Sequence, residues 1–312
     1  MTRWQRHLAA LAGLWAVILA IFHADAADMV GIWWHSSTFT HCLLMVPMIG
    51  WLVSQRAALL RPLTPAYWWP ALVWMAGAGL VWLVGEAAGI GLFRQLGLIL
   101  MLQGAVGVTL GEKLVRGLLF PLGYALLLVP FGEELVPLLQ TLTAKVSIAL
   151  LHLSGLSAEI EGVFITTRAG FFEVAEACSG VNFLMAMLAY AVFAAHLCFK
   201  SWTRRIVFVA LALATTVLAN ALRAYGTMVA AEIWGIERAG GIDHVFYGWV
   251  FFGVVILLVM LIARRWFDRP ANDVAVDVAR LGGLSRYAGP AKVVLPAALA
   301  LPLLFAAWGW LI

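Results

Sequence analysis

A cysteine, an arginine and a histidine stand at or near the ends of three separate apolar runs. The local strings are EACSG (Glu176 to Gly180), NALRAY (Asn220 to Tyr225) and DHVFYGW (Asp243 to Trp249). A thiol becomes a nucleophile once deprotonated. An imidazole moves protons near neutrality, and a guanidinium presents fixed planar donors to an oxyanion. Cys178, Arg223 and His244 are therefore sufficient parts for nucleophilic acyl transfer through a thioester. The expected roles are nucleophile for Cys178, oxyanion or thiolate stabiliser for Arg223, and general acid and base for His244. Asn182, four residues after the cysteine, is expected on the same helix face. Asn220, three residues before Arg223, and Tyr247, three after His244, are the expected supporting groups.

Each of the three has a plainer reading when taken alone. A small thiol at a helix start often only packs. A long arginine snorkels to an interface, and a lone interfacial histidine is commonly structural. An arginine inside a membrane span costs at least ~2.5 kcal/mol unless it is paired or wetted, and the nearby Asn220 favours a polar cavity around Arg223. What ties the three together is the side of the membrane that each reaches.

That side follows from composition and charge. The chain has 312 residues, 64% hydrophobic and 12% charged, and mean hydropathy +0.97. A soluble domain would carry about a quarter charged residues. Apolar runs of roughly 18 to 25 residues suffice to cross a hydrocarbon core of about 30 Å. The pattern predicts an all-α polytopic membrane protein with eight core spans and one C-terminal span. These run over 8–22, 39–53, 66–85, 92–110, 114–131, 179–199, 206–231, 245–263 and 293–312. The organisation predicted is N-terminal membrane helices over 1–131, an external segment over 132–177, a catalytic membrane core over 178–269, a cytoplasmic linker over 270–292 and a last helix over 293–312. The external segment should begin with an amphipathic helix over 134–153 and continue as a small β-hairpin from stretches 159–166 and 170–175.

Lys and Arg in the short loops orient the spans. Arg3 and Arg6 place the N-terminus in the cytoplasm. Arg56 and Arg61, Lys113 and Arg116, Lys200, Arg204 and Arg205, and Arg264, Arg265 and Arg269 then all fall inside. Asp25, Asp28 and Glu86 fall outside. Cys178, Arg223 and His244 share the external side. The first segment also has the look of a signal peptide, with Ala24-Asp25-Ala26 as an A-x-A-like site; an uncleaved first helix is expected. The formal charge of +4 lies in loops and forms no stripe for nucleic acid. Three cysteines make no disulfide framework, and Cys42 and Cys198, within apolar runs, are expected to be inert. CxxC, HExxH, GxGxxG and Walker patterns are absent, so no metal or cofactor is expected.

The three strings, read with GVFITTRAGFFEVAEA upstream of the cysteine and DHVFYGWVFF around the histidine, resemble the signature regions of the exosortase/archaeosortase family of integral-membrane transpeptidases, in particular its bacterial exosortase branch. The resemblance is strongest over 130–252. It implies catalytic roles for Cys178, Arg223 and His244. It further implies substrates that are exported proteins with a C-terminal sorting tail: a short Pro-Glu-Pro-type motif, a transmembrane helix and a basic end. A bacterial inner-membrane location, a periplasmic active site and a link to exopolysaccharide production are implied as well. Some members carry a further extracytoplasmic domain, which is expected to be missing here. The acceptor is not implied. A membrane cysteine protease that only hydrolyses would use the same residues. A non-enzymatic transporter or polysaccharide-export component would instead need charges along a through-path, for which Arg94, Gln95, Gln103 and Arg223 are the available residues.

Overall fold

The computed structural model describes residues 1–236, 244–270, 273–274, 276, 281, 287–309 and 311; the side chains of 244–247 fall outside that description. The chain forms two compact units, Met1–Pro130 with Asp273–Ile312, and Phe131–Asn272.

In the first unit, apolar runs become helices because only internal backbone hydrogen bonds satisfy N–H and C=O groups in lipid. These are α1 (Arg3–Ile21), α2 (His23–His35), α3 (His41–Leu60), α4 (Pro70–Ala88) and α5 (Gly91–Leu110). Two short helices follow, α6 (Glu112–Gly117) and α7 (Leu119–Tyr124), and then a 3-10 turn, Ala125–Leu128. The core gathers Leu14 and Ile18 from α1, Met75 and Trp82 from α4, and Leu98, Met101 and Val108 from α5. Small residues let α4 and α5 approach: a β-carbon at Gly97 would lie 2.6 Å from Trp82 Cβ, and one at Gly107 2.8 Å from Ala71 Cβ. A last helix, Ala291–Gly309, joins this core through Val294 and Ala298.

The same unit holds a cluster of paired charges. Asp25, inside α2 and 7% exposed, accepts a hydrogen bond from Trp82 Nε1 at 2.7 Å and lies 3.2 Å from Arg94 Nε. Arg94 Nη1 also meets Glu86 Oε2 at 3.0 Å. Gln103 donates to the Leu122 carbonyl. Arg94 and Gln103 thus belong to packing contacts.

The second unit begins with α8 (Val136–Leu153). A three-stranded antiparallel sheet follows, ordered β1 (Ala158–Glu161), β2 (Phe164–Thr167) and β3 (Phe171–Glu173). A 3-10 turn, Glu176–Cys178, leads into α9 (Val181–Cys198) and then α10 (Trp202–Trp234). The helix after the undescribed residues 237–243, α11, runs from His244 to Ala263. Helices α8 and α10 run the same way: Thr143 meets Asn220, Ser147 donates to the Ala221 carbonyl, and Ser154 meets Tyr225.

Three expectations change here. The run 114–131 is not one helix but is broken into α6, α7 and the 3-10 turn. Gly111 (φ +91°) precedes the broken stretch, and Gly117 tucks under Leu60. The helix expected to lie outside, 134–153, is by length and composition able to cross a membrane as Glu133–Leu153. Among the described residues the helices with that length and apolarity still number nine. The hairpin gains a strand, because the stretch 159–166 folds back at Gly162 (φ +62°), a backbone angle that glycine adopts without steric cost. Register pairs Ile160 with Ile165 and Ile165 with Phe172. The chain is an all-α polytopic membrane protein carrying one small antiparallel sheet.

Candidate functional site

Cys178 does not sit in a helix. It closes the 3-10 turn, with its own N–H on the Ala175 carbonyl at 2.8 Å and the Ser179 N–H on the Glu176 carbonyl at 3.0 Å. Gly180 (φ +85°) then redirects the chain, and α9 begins only at Val181. Cys178 and Asn182, expected on one continuous helix face, therefore belong to different elements, with a left-handed residue between them. Asn182 lies in the first turn of α9 and is not among the residues lining the cleft described below.

The asparagine that holds the cysteine turn is Asn220. It is 5% exposed, and its Nδ2 donates to the Cys178 carbonyl at 3.0 Å and to Thr143 Oγ1 at 3.2 Å. Thr143, fully enclosed on α8, points its hydroxyl at the Ser179 carbonyl 3.5 Å away. Gly180 is required at this point for two reasons. Its φ lies where a side chain is strained, and a β-carbon there would lie 2.5 Å from Asn220 Cγ. Three elements, α8, the cysteine turn and α10, thereby lock together through buried polar contacts. Unmade, such contacts would each leave a desolvated group.

Arg223 follows Asn220 by one turn on α10. Residues three apart share a helix face, so the guanidinium rises beside the cysteine turn. Its Cζ lies 5.4 Å from the Phe183 ring centroid, a cation–π arrangement with α9. The opposite neighbour is α11. A β-carbon at Gly248 would lie 3.3 Å from Arg223 Nη2 and 3.3 Å from Phe183 Cζ. A bare backbone at Gly248 is what lets α11 close on the guanidinium.

Cys178, Asn220 and Arg223 line one cleft of about 80 Å³, walled further by Phe172, Glu173 and Thr227. The half-buried thiol and the guanidinium thus face a common space large enough for a few atoms of a ligand. A nucleophilic sulfur beside fixed cationic donors suits attack on a carbonyl carbon. Of the other predicted residues, His244 is the first residue of α11 and Tyr247 lies in its first turn. Their side chains, and Asp243, lie outside the described residues. Thr143 was missed in sequence. It comes from a segment far from all three motifs, and only contacts across the fold reveal it. Neither of the two remaining cysteines lines the cleft: Cys42 is enclosed within the first unit, with its thiol toward the Leu127 carbonyl, and Cys198 ends α9.

A second cavity, of about 860 Å³, is a groove between α10 and α11. It is apolar along Val207, Leu211, Leu218 and Leu222 on one wall and Val255 and Ile262 on the other. Leu222, at its upper end, directly precedes Arg223.

A family model described as transmembrane exosortase matches residues 33–261, a span that takes in all three chemical motifs. No curated protein and no solved structure matches the chain.

Proposed function

This chain belongs to the transmembrane exosortase family, and from that premise we propose that it is a membrane-embedded cysteine transpeptidase that cuts C-terminal sorting tails from exported proteins and passes the new carboxyl end to an envelope acceptor. The observation that carries this reading is the cleft itself, where Cys178 and Arg223, brought from separate elements, line one small space. The Cys178 sulfur, as thiolate, attacks the peptide carbonyl carbon at the start of the tail. The carbonyl oxygen gains charge, which the Arg223 guanidinium holds through directed N–H donors. Collapse breaks the C–N bond, the leaving nitrogen takes a proton, and a thioester remains. An acceptor nucleophile then attacks that thioester and releases the thiol. His244 is assigned the proton transfers. It precedes Gly248 by four residues, and positions four apart share a helix face, so it holds a place one turn from the backbone that abuts Arg223.

The membrane placement follows the same logic. Arg204 and Arg205 in the first turn of α10, with Arg264 and Arg265 beyond α11, mark a cytoplasmic end by the bias of positive loops. From Trp202 to Asn220 is 18 residues, about 27 Å at 1.5 Å per residue, against a hydrocarbon core of about 30 Å. This spacing supports a cleft at the outer, periplasmic surface of a bacterial inner membrane. The groove between α10 and α11 extends below it for most of that depth, from Thr203 to Leu222. A lipid chain fills one leaflet; a surface of this length suits a spanning helix. The tail's transmembrane helix, entering sideways from lipid, would deliver its external peptide to Cys178.

Hydrolysis without transfer uses the same groups and differs only in whether water takes the acceptor's place. An export component is disfavoured because the charged group of the first unit, Arg94 with Asp25 and Glu86, is bound into a packing cluster. The test is Cys178→Ala in a host expressing a reporter with a Pro-Glu-Pro-type motif, transmembrane helix and basic end. Processing should cease while the protein still accumulates in the membrane. Normal processing by that variant refutes the enzyme. The mass of the wild-type product then separates an added group from a free carboxylate.

A further inference from the structure

We propose that the edge of β3, unpaired among the described residues, is a peptide-binding subsite, where an extended segment of the protein being processed pairs as a fourth strand and is led to Cys178. The inference rests on the cleft being a site of peptide acyl transfer, and adds how the peptide is held.

The ladder shows which backbone groups are spare. Thr167 and Gly170 exchange both hydrogen bonds, at 2.9 and 3.3 Å, and the Val174 N–H reaches the Val163 carbonyl at 3.0 Å. In an antiparallel pair, hydrogen-bonded and non-bonded partners alternate. The register pairs Ile165 with Phe172, Phe164 with Glu173 and Thr166 with Phe171. Phe172 therefore spends its N–H and C=O on β2, whereas those of Phe171 and Glu173 point away from it. Among the described residues those outward groups meet no hydrogen-bond partner.

The sheet's two edges are treated differently. On the β1 side, α8 covers the edge: His152 Nε2 meets the Ala158 carbonyl at 2.8 Å. On the β3 side the strand carries neither proline nor lysine, and its one charge is Glu173 at the end nearer Cys178. Phe171 is instead 64% exposed and stacks on Phe164, with ring centroids 5.2 Å apart. The edge also has a direction. Phe172, Glu173 and Val174 form a wall of the cleft that holds Cys178 and Arg223, and the chain passes from β3 to Cys178 within five residues. The sheet is anchored for the task. Ile165 is fully buried against Leu151, Val174 and Met228, and Glu232 on α10 accepts the Ala169 N–H at 2.9 Å at the β2–β3 turn. Main-chain pairing of this kind supplies affinity independent of side chain, and alternate side chains of the added strand supply selectivity.

The test uses the full-length enzyme in nanodiscs, the tailed reporter as substrate, and a synthetic tail-motif peptide as competitor. The competitor is N-methylated at one backbone nitrogen at a time. Strand pairing uses every second N–H, so competition should be lost at alternate positions and kept between them. A flat profile, or one that follows side-chain identity, overturns the proposal. Glu173→Pro removes one outward N–H without touching the β2 ladder; it should raise KM roughly ten-fold, the scale of one hydrogen bond, with kcat little changed. Ala158→Pro, which removes an N–H on the covered edge, should leave KM alone. Equal effects from both overturn the proposal. Cys178→Ala keeps the two questions apart: continued processing by that variant sinks the acyl-transfer reading, while loss of processing with a flat N-methyl profile sinks only the subsite.

Discussion

Gly180→Ala tests whether the asparagine clamp positions the turn that carries Cys178. Two penalties follow from the structure. An alanine must adopt φ +85°, which costs about 1–2 kcal/mol. Its β-carbon must also displace Asn220, whose Cγ would lie 2.5 Å away. Moving Asn220 forfeits its bonds to the Cys178 carbonyl and Thr143, at about 1 kcal/mol each. The sum is about 3–4 kcal/mol, concentrated on the turn that carries the thiol. Displacements of about 1 Å at a reacting group cost on the order of 10²-fold in rate, so reporter processing should fall at least that far. Asn220→Ala alone loses the two bonds but carries no backbone strain, and should be the milder variant. The two changes remove the same contacts, so the double variant should resemble Gly180→Ala. It should therefore be about 30-fold more active than the product of the two defects, the equivalent of about 2 kcal/mol of coupling. Measured kcat/KM for the three variants closes the cycle. Multiplicative defects, or normal turnover in Gly180→Ala, would show that Asn220 does not hold the cysteine turn.

Other perturbations probe neighbouring links. Gly248→Ala places a methyl 3.3 Å from Arg223 Nη2 and from Phe183 Cζ. Processing should drop several-fold while thermal stability holds or rises, because alanine favours helix over glycine by about 1 kcal/mol; a fall in both together would argue against a local clash. Asp25→Ala removes a buried acceptor from Trp82 and Arg94. Because Arg94 is partly exposed and retains Glu86, the loss is set at about 2 kcal/mol, or roughly 4–8 °C in the melting temperature of a unit this size. Tryptophan fluorescence during heating in detergent reads it, and an unchanged melting temperature would separate that cluster from stability. Glu232→Gln weakens the acceptor for the Ala169 N–H. Amide exchange over 164–173 should quicken with little change elsewhere, whereas a uniform increase across the unit would point to global loosening.

Much of this protein was legible as a one-dimensional pattern. Hydropathy is a property of composition, so apolar runs of membrane length could be counted without knowing their neighbours. The same pattern put Cys178 and Arg223 at corresponding ends of separate runs, and the structure brings both to one cleft. Long-range contacts decided the rest. The run 114–131 is apolar enough to be a single helix, yet it breaks where Gly111 turns against Ala66 and Gly117 passes beneath Leu60. Residues 134–153 read as a surface helix, but their length and apolarity qualify them as a span, and the helix packs along α10. Helical spacing put Asn182 on one face with Cys178, whereas the left-handed Gly180 interrupts that spacing, and it is Asn220, backed by Thr143, that holds the Cys178 carbonyl. The sequence by itself determined that this is a polytopic membrane chain and singled out a thiol and a guanidinium at the ends of its apolar runs. Only the tertiary structure decided which polar atoms hold the thiol's backbone in place. Burial in lipid is a sum over side chains, readable residue by residue, while a hydrogen bond between distant segments exists only once the chain has closed on itself.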